Sequence, residues 1–246
     1  MKRIAALLLS VALLAGCLPG VAVANTMYYI PGLTSGDFGS YYLSNRLYFQ
    51  GDSEATLLKG KTKKLKLAGA TAGVTWKSSN KKVATVSKAG TVKTKKAGKA
   101  VITATNASGF SADFTVKVYV KRTQAQARKA ILALKAKYPE GRRWTNSNHY
   151  NWEAANTSCY GCAAFAGIAS DKAFGKYAPF RKHKSFDKVK VGDSIRIGDW
   201  HSVVVLYKKS DSVVVCEGNY NSSIHWGATL TRSWLANEGF QVWTRY

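Results

Sequence analysis

Cys162 stands where a thiol could react. It follows Gly161 and opens the run Cys162-Ala163-Ala164-Phe165-Ala166 in the stretch YGCAAFAGIASD. A helix beginning there would aim its unpaired N–H groups and the positive end of its dipole at the sulfur, which favours the thiolate. Gly161 lets the chain turn sharply into the helix, and the alanines leave room for a substrate. A nucleophilic cysteine needs a base. Of His149, His183, His201 and His225, only His201 opens a confident strand, WHSVVVLY, where the rim of a sheet would hold its ring rigidly. The base in turn needs an orienting group. Pairing Trp200–Tyr207 with Ser212–Glu217 as a hairpin sets His201 roughly opposite Glu217. Asn219 lies one step further on the same face, and Asp199, two residues before His201, could share it. Glu217 and Asn219 are favoured. Cys159 and Cys162 also have redox-pair spacing, though without a flanking parallel βαβ pattern. Cys159, Cys162, Cys216 and His201 are zinc-ligand types, but Cys216 and Glu217 alternate across the strand. A Cys159–Cys216 disulfide is a further possibility.

The elements that must position these residues occupy the second half of the chain. Ala127, Ile131, Leu134 and Tyr138 mark one face of a helix over 121–138, ended by Pro139. A polar, aromatic loop follows, holding Trp144. Next come the Cys162 helix to about Ser170, strands at Asp193–Ile197, Trp200–Tyr207 and Ser212–Glu217, and a last strand at Phe240–Tyr246. A helix followed by a small antiparallel sheet is α+β. Trp200, Trp226 and Trp234 are expected in the core, and Trp144 as the wall of a substrate groove. Tyr220 and Asn221 are expected in a substrate-binding loop beside the site.

Residues 53–120 have a different rhythm. Short β-rich runs such as VATV and FTVKV alternate with Gly, Asn and Ser breaks, which is the pattern of an all-β sandwich. Trp76 is expected between its sheets. Residues 25–52, rich in Tyr, Gly and Ser, are expected to be a linker or lead-in.

The N-terminus carries Lys2 and Arg3 and then the apolar run Ile4–Leu14, a secretory signal too short to span a bilayer. Signal cleavage after Ala24 is one outcome. The other is a lipoprotein signal, Leu14-Ala15-Gly16-Cys17, in which acylated Cys17 anchors the protein. Either places the mature chain outside the cytoplasm, at the cell surface or free. The formal net charge is +24. Residues 51–120 carry 14 Lys against 3 acids, and residues 121–246 carry 20 Lys and Arg against 9 acids, +11 each. Two basic modules outside the cytoplasm exclude nucleic acid as a partner and point to anionic wall polymers or lipids, with membrane contact only through the lipid anchor.

VTWKSSNKKVATVSKAGTVKTKKAGKAVITA, Val74 to Ala104, resembles bacterial Ig-like domains of group 2. That resemblance implies an Ig-like sandwich of the kind found in surface spacers and wall-contact modules. GCAAFAGIASD, VKVGDSIRIGDWHSVVVL and EGNYNSSIHWG, in that order, resemble the NlpC/P60 branch of papain-like cysteine peptidases, over roughly residues 125–246. Ala163 stands where many members carry a polar residue. The resemblance implies an α+β papain-like domain over 121–246 that hydrolyses amide bonds in peptidoglycan peptides without a cofactor. His201 would deprotonate Cys162, and the backbone N–H of Cys162 would stabilise the oxyanion. The alternative expectation is a non-enzymatic surface adhesion or scaffold protein.

Overall fold

The computed structural model describes residues 44–246. The expected secretory signal, the expected lipidation site Cys17 and most of the expected lead-in lie outside the described residues. The chain divides into two compact units between Lys117 and Val118. No helix among the described residues is long and apolar enough to cross a membrane.

The first unit is built from β1 (Leu47–Phe49), β2 (Glu54–Leu58), β3 (Thr62–Lys64), β4 (Leu67–Gly69), β5 (Thr75–Ser78), β6 (Ala84–Val86), β7 (Thr91–Thr94), β8 (Gly98–Thr105) and β9 (Ser111–Tyr119). Sheets of order β2-β9-β8-β5 and β3-β7-β6 carry the sandwich, with a small β1-β4 pair beside them. Strand periodicity explains the core. Along β8, Ala100, Ile102 and Ala104 are buried while their neighbours are not, and Phe114 and Val116 repeat this on β9. Residues 47–49, expected in the lead-in, belong to this unit, because Phe49 packs edge-on against Phe114, with centroids 5.3 Å apart. Trp76 is half-buried over Gly90, where an added Cβ would lie 2.6 Å from the indole. The lysines, among them Lys61, Lys63, Lys64, Lys93, Lys95 and Lys96, are exposed.

The second unit begins with α1 (Gln124–Leu132), continued by a 3-10 turn at Ala133–Ala136. Thr123 and Gln126 form a capping box at its start, and Ala127, Ile131, Leu134 and Tyr138 are buried as their spacing predicts. Then come β10 (His149–Trp152), β11 (Thr157–Tyr160), α2 (Gly161–Phe174), β12 (Arg181–His183), β13 (Ser194–Ile197), β14 (His201–Lys208), β15 (Ser212–Tyr220), β16 (Ser223–Thr231), α3 (Arg232–Glu238) and β17 (Phe240–Thr244). One six-stranded sheet has the order β12-β17-β13-β14-β15-β16, and its pairings are antiparallel. Val204, Leu206 and Cys216 on one face pack with Ile131, Ala164 and Phe165 of the two longer helices. Ile195, Val203, Val205, Val215 and Val242 on the other face pack with Phe186, Val189 and Leu235. A central strand covered on both faces must be apolar at consecutive positions, which is why β14 reads VVVL.

The expected fold class is corrected. Strand makes up 44% of the described residues and helix 19%, and no papain-like α+β domain is evident. Three parts of the β structure escape the sequence pattern. The β10–β11 hairpin falls in the expected loop, β12 is only Arg-Lys-His, and Gly227 interrupts β16.

Candidate functional site

The second α-helix starts from a constrained turn. Tyr160 is extended, and Gly161 takes φ +52°, a backbone conformation that favours glycine. A Cβ at Gly161 would also sit 2.3 Å from Asn146 Oδ1. The Trp144 indole N–H donates to the Gly161 carbonyl at 2.8 Å, and the Gly161 N–H donates to the Asn148 carbonyl at 2.9 Å. No side chain caps this helix, so, with the Gly161 N–H taken by Asn148, its next N–H groups, from Cys162 and Ala163, are not held by a cap.

Cys162 follows directly and is 8% exposed, so the expected open, solvent-facing thiol is instead recessed. Its thiol donates toward the Trp200 carbonyl at 3.9 Å, and the His201 ring and the Ser202 backbone N–H act on the sulfur electrostatically. His201 Nε2 lies 2.6 Å from Glu217 Oε2, both side chains being buried. Glu217 engages Nε2, so a second partner of the ring would use Nδ1. The β14–β15 register differs from expectation. Glu217 pairs with Val203, two residues along from His201, and the carboxylate reaches the ring on the diagonal of the same face.

Electrostatics separate the three free thiols. Burial pushes Cys162 up, but the His201 hydrogen bond and charge, the Ser202 N–H and the Arg196 charge outweigh it and hold the thiol below its ordinary value. Burial pushes both Cys159 and Cys216 up. Burial also disfavours the His201 cation, yet hydrogen bonds to Cys162 and Glu217, and their charges, raise it to about 9. The combination favours a thiolate beside an imidazolium. The Cys159–Cys216 disulfide is not formed, since both cysteines are free and Cys216 is buried in the helix-facing core.

The other sequence candidates scatter. Asn219, at φ +61° where the pairing of β15 with β16 becomes irregular, gives its amide to Asn146 Oδ1 at 2.9 Å rather than to His201. It therefore braces the turn at Gly161. Asp199 is exposed. Trp144 is no groove wall: it is buried, edge-on to Tyr138 and Phe165, because its aromatic face completes the helix-side core. Tyr220 stacks on His225 with centroids 5.2 Å apart, and Asn221, at φ +45°, makes the tight turn after it. Neither lines the pocket beside the second α-helix. Trp200, expected in the core, is 54% exposed and stacks over the His201 ring at 5.5 Å. Trp226 is core and Trp234 is partly buried against the other core.

A pocket of about 340 Å³ opens beside the second α-helix. Ala163 and Ala166 form one side, and Trp152 and Cys159 of the hairpin form another. Its floor is Ser194, Arg196 and Ser202 of the sheet, with Trp243. Sequence reasoning missed Arg196 and Ser202. Their signal was the alternation in Ser194-Ile195-Arg196-Ile197, a polar face within an otherwise apolar strand.

Comparison with known proteins bears on the first unit. No curated protein matches the chain. Among solved structures, an EHEC O157:H7 intimin mutant shares 16% identity, covers 76% of this chain and 90% of that chain, and has a TM-score of 0.27. The C-terminal 282-residue fragment of intimin in complex with the translocated intimin receptor's intimin-binding domain shares 15%, covers 74% and 62%, and scores 0.29. The N-terminal eight Ig domains of Down Syndrome Cell Adhesion Molecule share 11%, cover 76% and 27%, and score 0.25. Likenesses of that size carry no argument about fold or function. The comparisons give no support to the NlpC/P60 resemblance or to a hydrolase. Residues 51–118 match the bacterial Ig-like domain (group 2), a kind of domain typical of extracellular and surface proteins.

Proposed function

We propose that this is a cell-surface protein whose second unit is a cysteine hydrolase of amide bonds in peptidoglycan peptides, held at the wall by its Ig-like module. One observation carries the reading: Cys162 opens a helix beside His201, whose ring is hydrogen-bonded to buried Glu217, and Cys162 is the one thiol among the three held below its ordinary value, His201 being the main cause. In the proposed reaction the thiolate attacks the amide carbon. The developing oxyanion is met by N–H groups of the helix's first turn, including that of Cys162. As the C–N bond breaks, the His201 imidazolium gives its proton to the leaving amine. Neutral His201 then takes a proton from water, whose oxygen attacks the thioester and releases a carboxylic acid and the Cys162 thiolate, restoring the thiolate–imidazolium pair. Glu217 fixes the ring and supports its positive charge throughout. The basic surface favours anionic wall polymers and lipids, and an acylated Cys17 would add a membrane anchor.

The test uses purified peptidoglycan and mass spectrometry of released peptides. The full chain releases them, and Cys162→Ala, with unchanged circular dichroism, does not. Undiminished release by the variant removes Cys162 from the chemistry. The Ig-like match and the exposed lysines favour a second reading, a non-enzymatic surface adhesion or scaffold protein. Equal, slow labelling of Cys159, Cys162 and Cys216 by a thiol probe near neutral pH would select it.

A further inference from the structure

Arg196 sits at the centre of the pocket floor, on a strand paired on both sides. It faces Ser202 across the β13–β14 ladder and donates to the Ser202 Oγ at 3.2 Å. No acidic side chain lines the pocket, and Arg196 makes no ion pair among those found in the described residues. A half-buried guanidinium without a carboxylate partner, its charge felt by the Cys162 sulfur, is unusual, since removing such a charge from water is unfavourable unless an anion or dipoles replace the water. Its fork has five donors, and Ser202 Oγ accepts one. Ser202 ties the pocket to the chemistry, because it lines the pocket while its backbone N–H helps lower the Cys162 thiol, and Ala163, next to Cys162, lines the same pocket. Ala163 and Ala166 open the space above, and the Trp152 and Trp243 rings, 5.4 Å apart and nearly parallel, form an apolar wall. The volume suits a single amino-acid side chain or terminus.

We infer that Arg196, with Ser202, is a specificity site that binds a substrate carboxylate adjacent to the scissile amide. The inference rests on Cys162 acting as the nucleophile. Substrates would then be peptides with an acidic residue or a free carboxyl terminus beside the bond cleaved. Amidation of that carboxylate would weaken binding, because the bidentate charge-assisted contact would be lost.

Two alkylating probes separate the possibilities: anionic iodoacetate and neutral iodoacetamide, read at Cys162 by peptide mass spectrometry on the full chain. The informative quantity is the iodoacetate-to-iodoacetamide rate ratio, normalised to glutathione under the same conditions. The expected ratio in the native protein is raised roughly tenfold or more, the size of one charge-assisted hydrogen-bond contact. Arg196→Gln returns it close to the glutathione value, and Arg196→Lys keeps part of the preference. A second measurement needs no variant: N-acetylglutamate slows iodoacetamide labelling of native Cys162, whereas N-acetylglutamine does not. An unchanged ratio in Arg196→Gln, or equal protection by the two amino acids, overturns the carboxylate site while leaving the nucleophile intact. Cys162 labelling no faster than Cys159 with either reagent overturns the cysteine-hydrolase reading itself, and this inference with it.

Discussion

The two units bury different kinds of polar group. In the Ig-like unit the buried polar side chains are Ser78, Thr94 and Asn106, all uncharged. They hydrogen-bond to backbone, as Asn106 does to the carbonyls of Asn45 and Ala70. In the second unit Asp171, Asp193, His201, Glu217 and Arg245 are all buried. Buried charge is unfavourable unless matched, so this contrast marks where the sequence does something besides fold. One cluster is structural. Arg245 pairs with Asp171 at 2.6 Å and donates to the carbonyls of Ala178 and Gly175, while the Tyr150 hydroxyl and the Trp152 indole donate to Asp171. This locks the end of the nucleophile helix to the last strand and to the hairpin. The other cluster, His201 with Glu217, adjoins the one thiol of the three that the surroundings favour as a thiolate.

Five measurements sharpen or break the contrast. The largest effect belongs to Cys162→Ala, which lowers peptide release on the order of 10⁴-fold with the fold intact. Loss of folding together with activity would make Cys162 a core residue like Cys216. Asp171→Ala leaves Arg245 buried and unpaired and destabilises the second unit by about 3–5 kcal/mol, read by urea unfolding. Phe114→Ala has a similar effect, about 3–5 kcal/mol, in the Ig-like unit through cavity formation alone, without altering thiol reactivity. A change in Cys162 labelling there would refute the independence of the two units.

Glu217→Gln removes the carboxylate that raises His201. Release falls roughly 10²-fold, and the alkaline limb moves below the native position near 9. The sign follows from the pair. The reactive thiolate–imidazolium state forms as pH rises through the lowered Cys162 value and is lost as His201 deprotonates near 9. An unmoved limb would mean that another group titrates there. The smallest effect concerns Asp193, which burial raises to about 6 and whose Oδ1 has no hydrogen-bond partner. The folded state holds this proton more tightly, so stability falls as pH rises from about 4 to 6, by on the order of 2 kcal/mol. Asp193→Asn flattens that slope in urea titrations across the window.

Much of the fold was readable where periodicity speaks directly. Alternation in β8 and β9, the 3.6 spacing of Ala127, Ile131, Leu134 and Tyr138, and the apolar run of β14 each report a local pattern of burial. The Ig-like resemblance of residues 74–104 rested on the same kind of signal. The β10–β11 hairpin, β12 and β16 were not readable, because polar or Gly-interrupted strands are held by tertiary pairing rather than by pattern. That is why the second unit was misjudged as α+β and papain-like.

For the candidate site, residue type and local context singled out Cys162 and His201, because a glycine before a helix-start cysteine and a histidine at a strand start are local facts. The sequence by itself also set the basic charge of both units and the inside and outside of each regular strand. Register was beyond it. A shift of two residues in the β14–β15 pairing leaves the sequence pattern unchanged, yet it moves Glu217 to the diagonal of His201, and only the irregular end of β15, with Asn219 at φ +61° bonded to Asn146, keeps Asn219 from the imidazole. The same holds for Trp144 and Trp200, since an indole fits core and surface equally well by composition. Only the packing of hairpin, helix and sheet buried Trp144, laid Trp200 over His201 and left Arg196 lining a pocket without a carboxylate partner among the described residues.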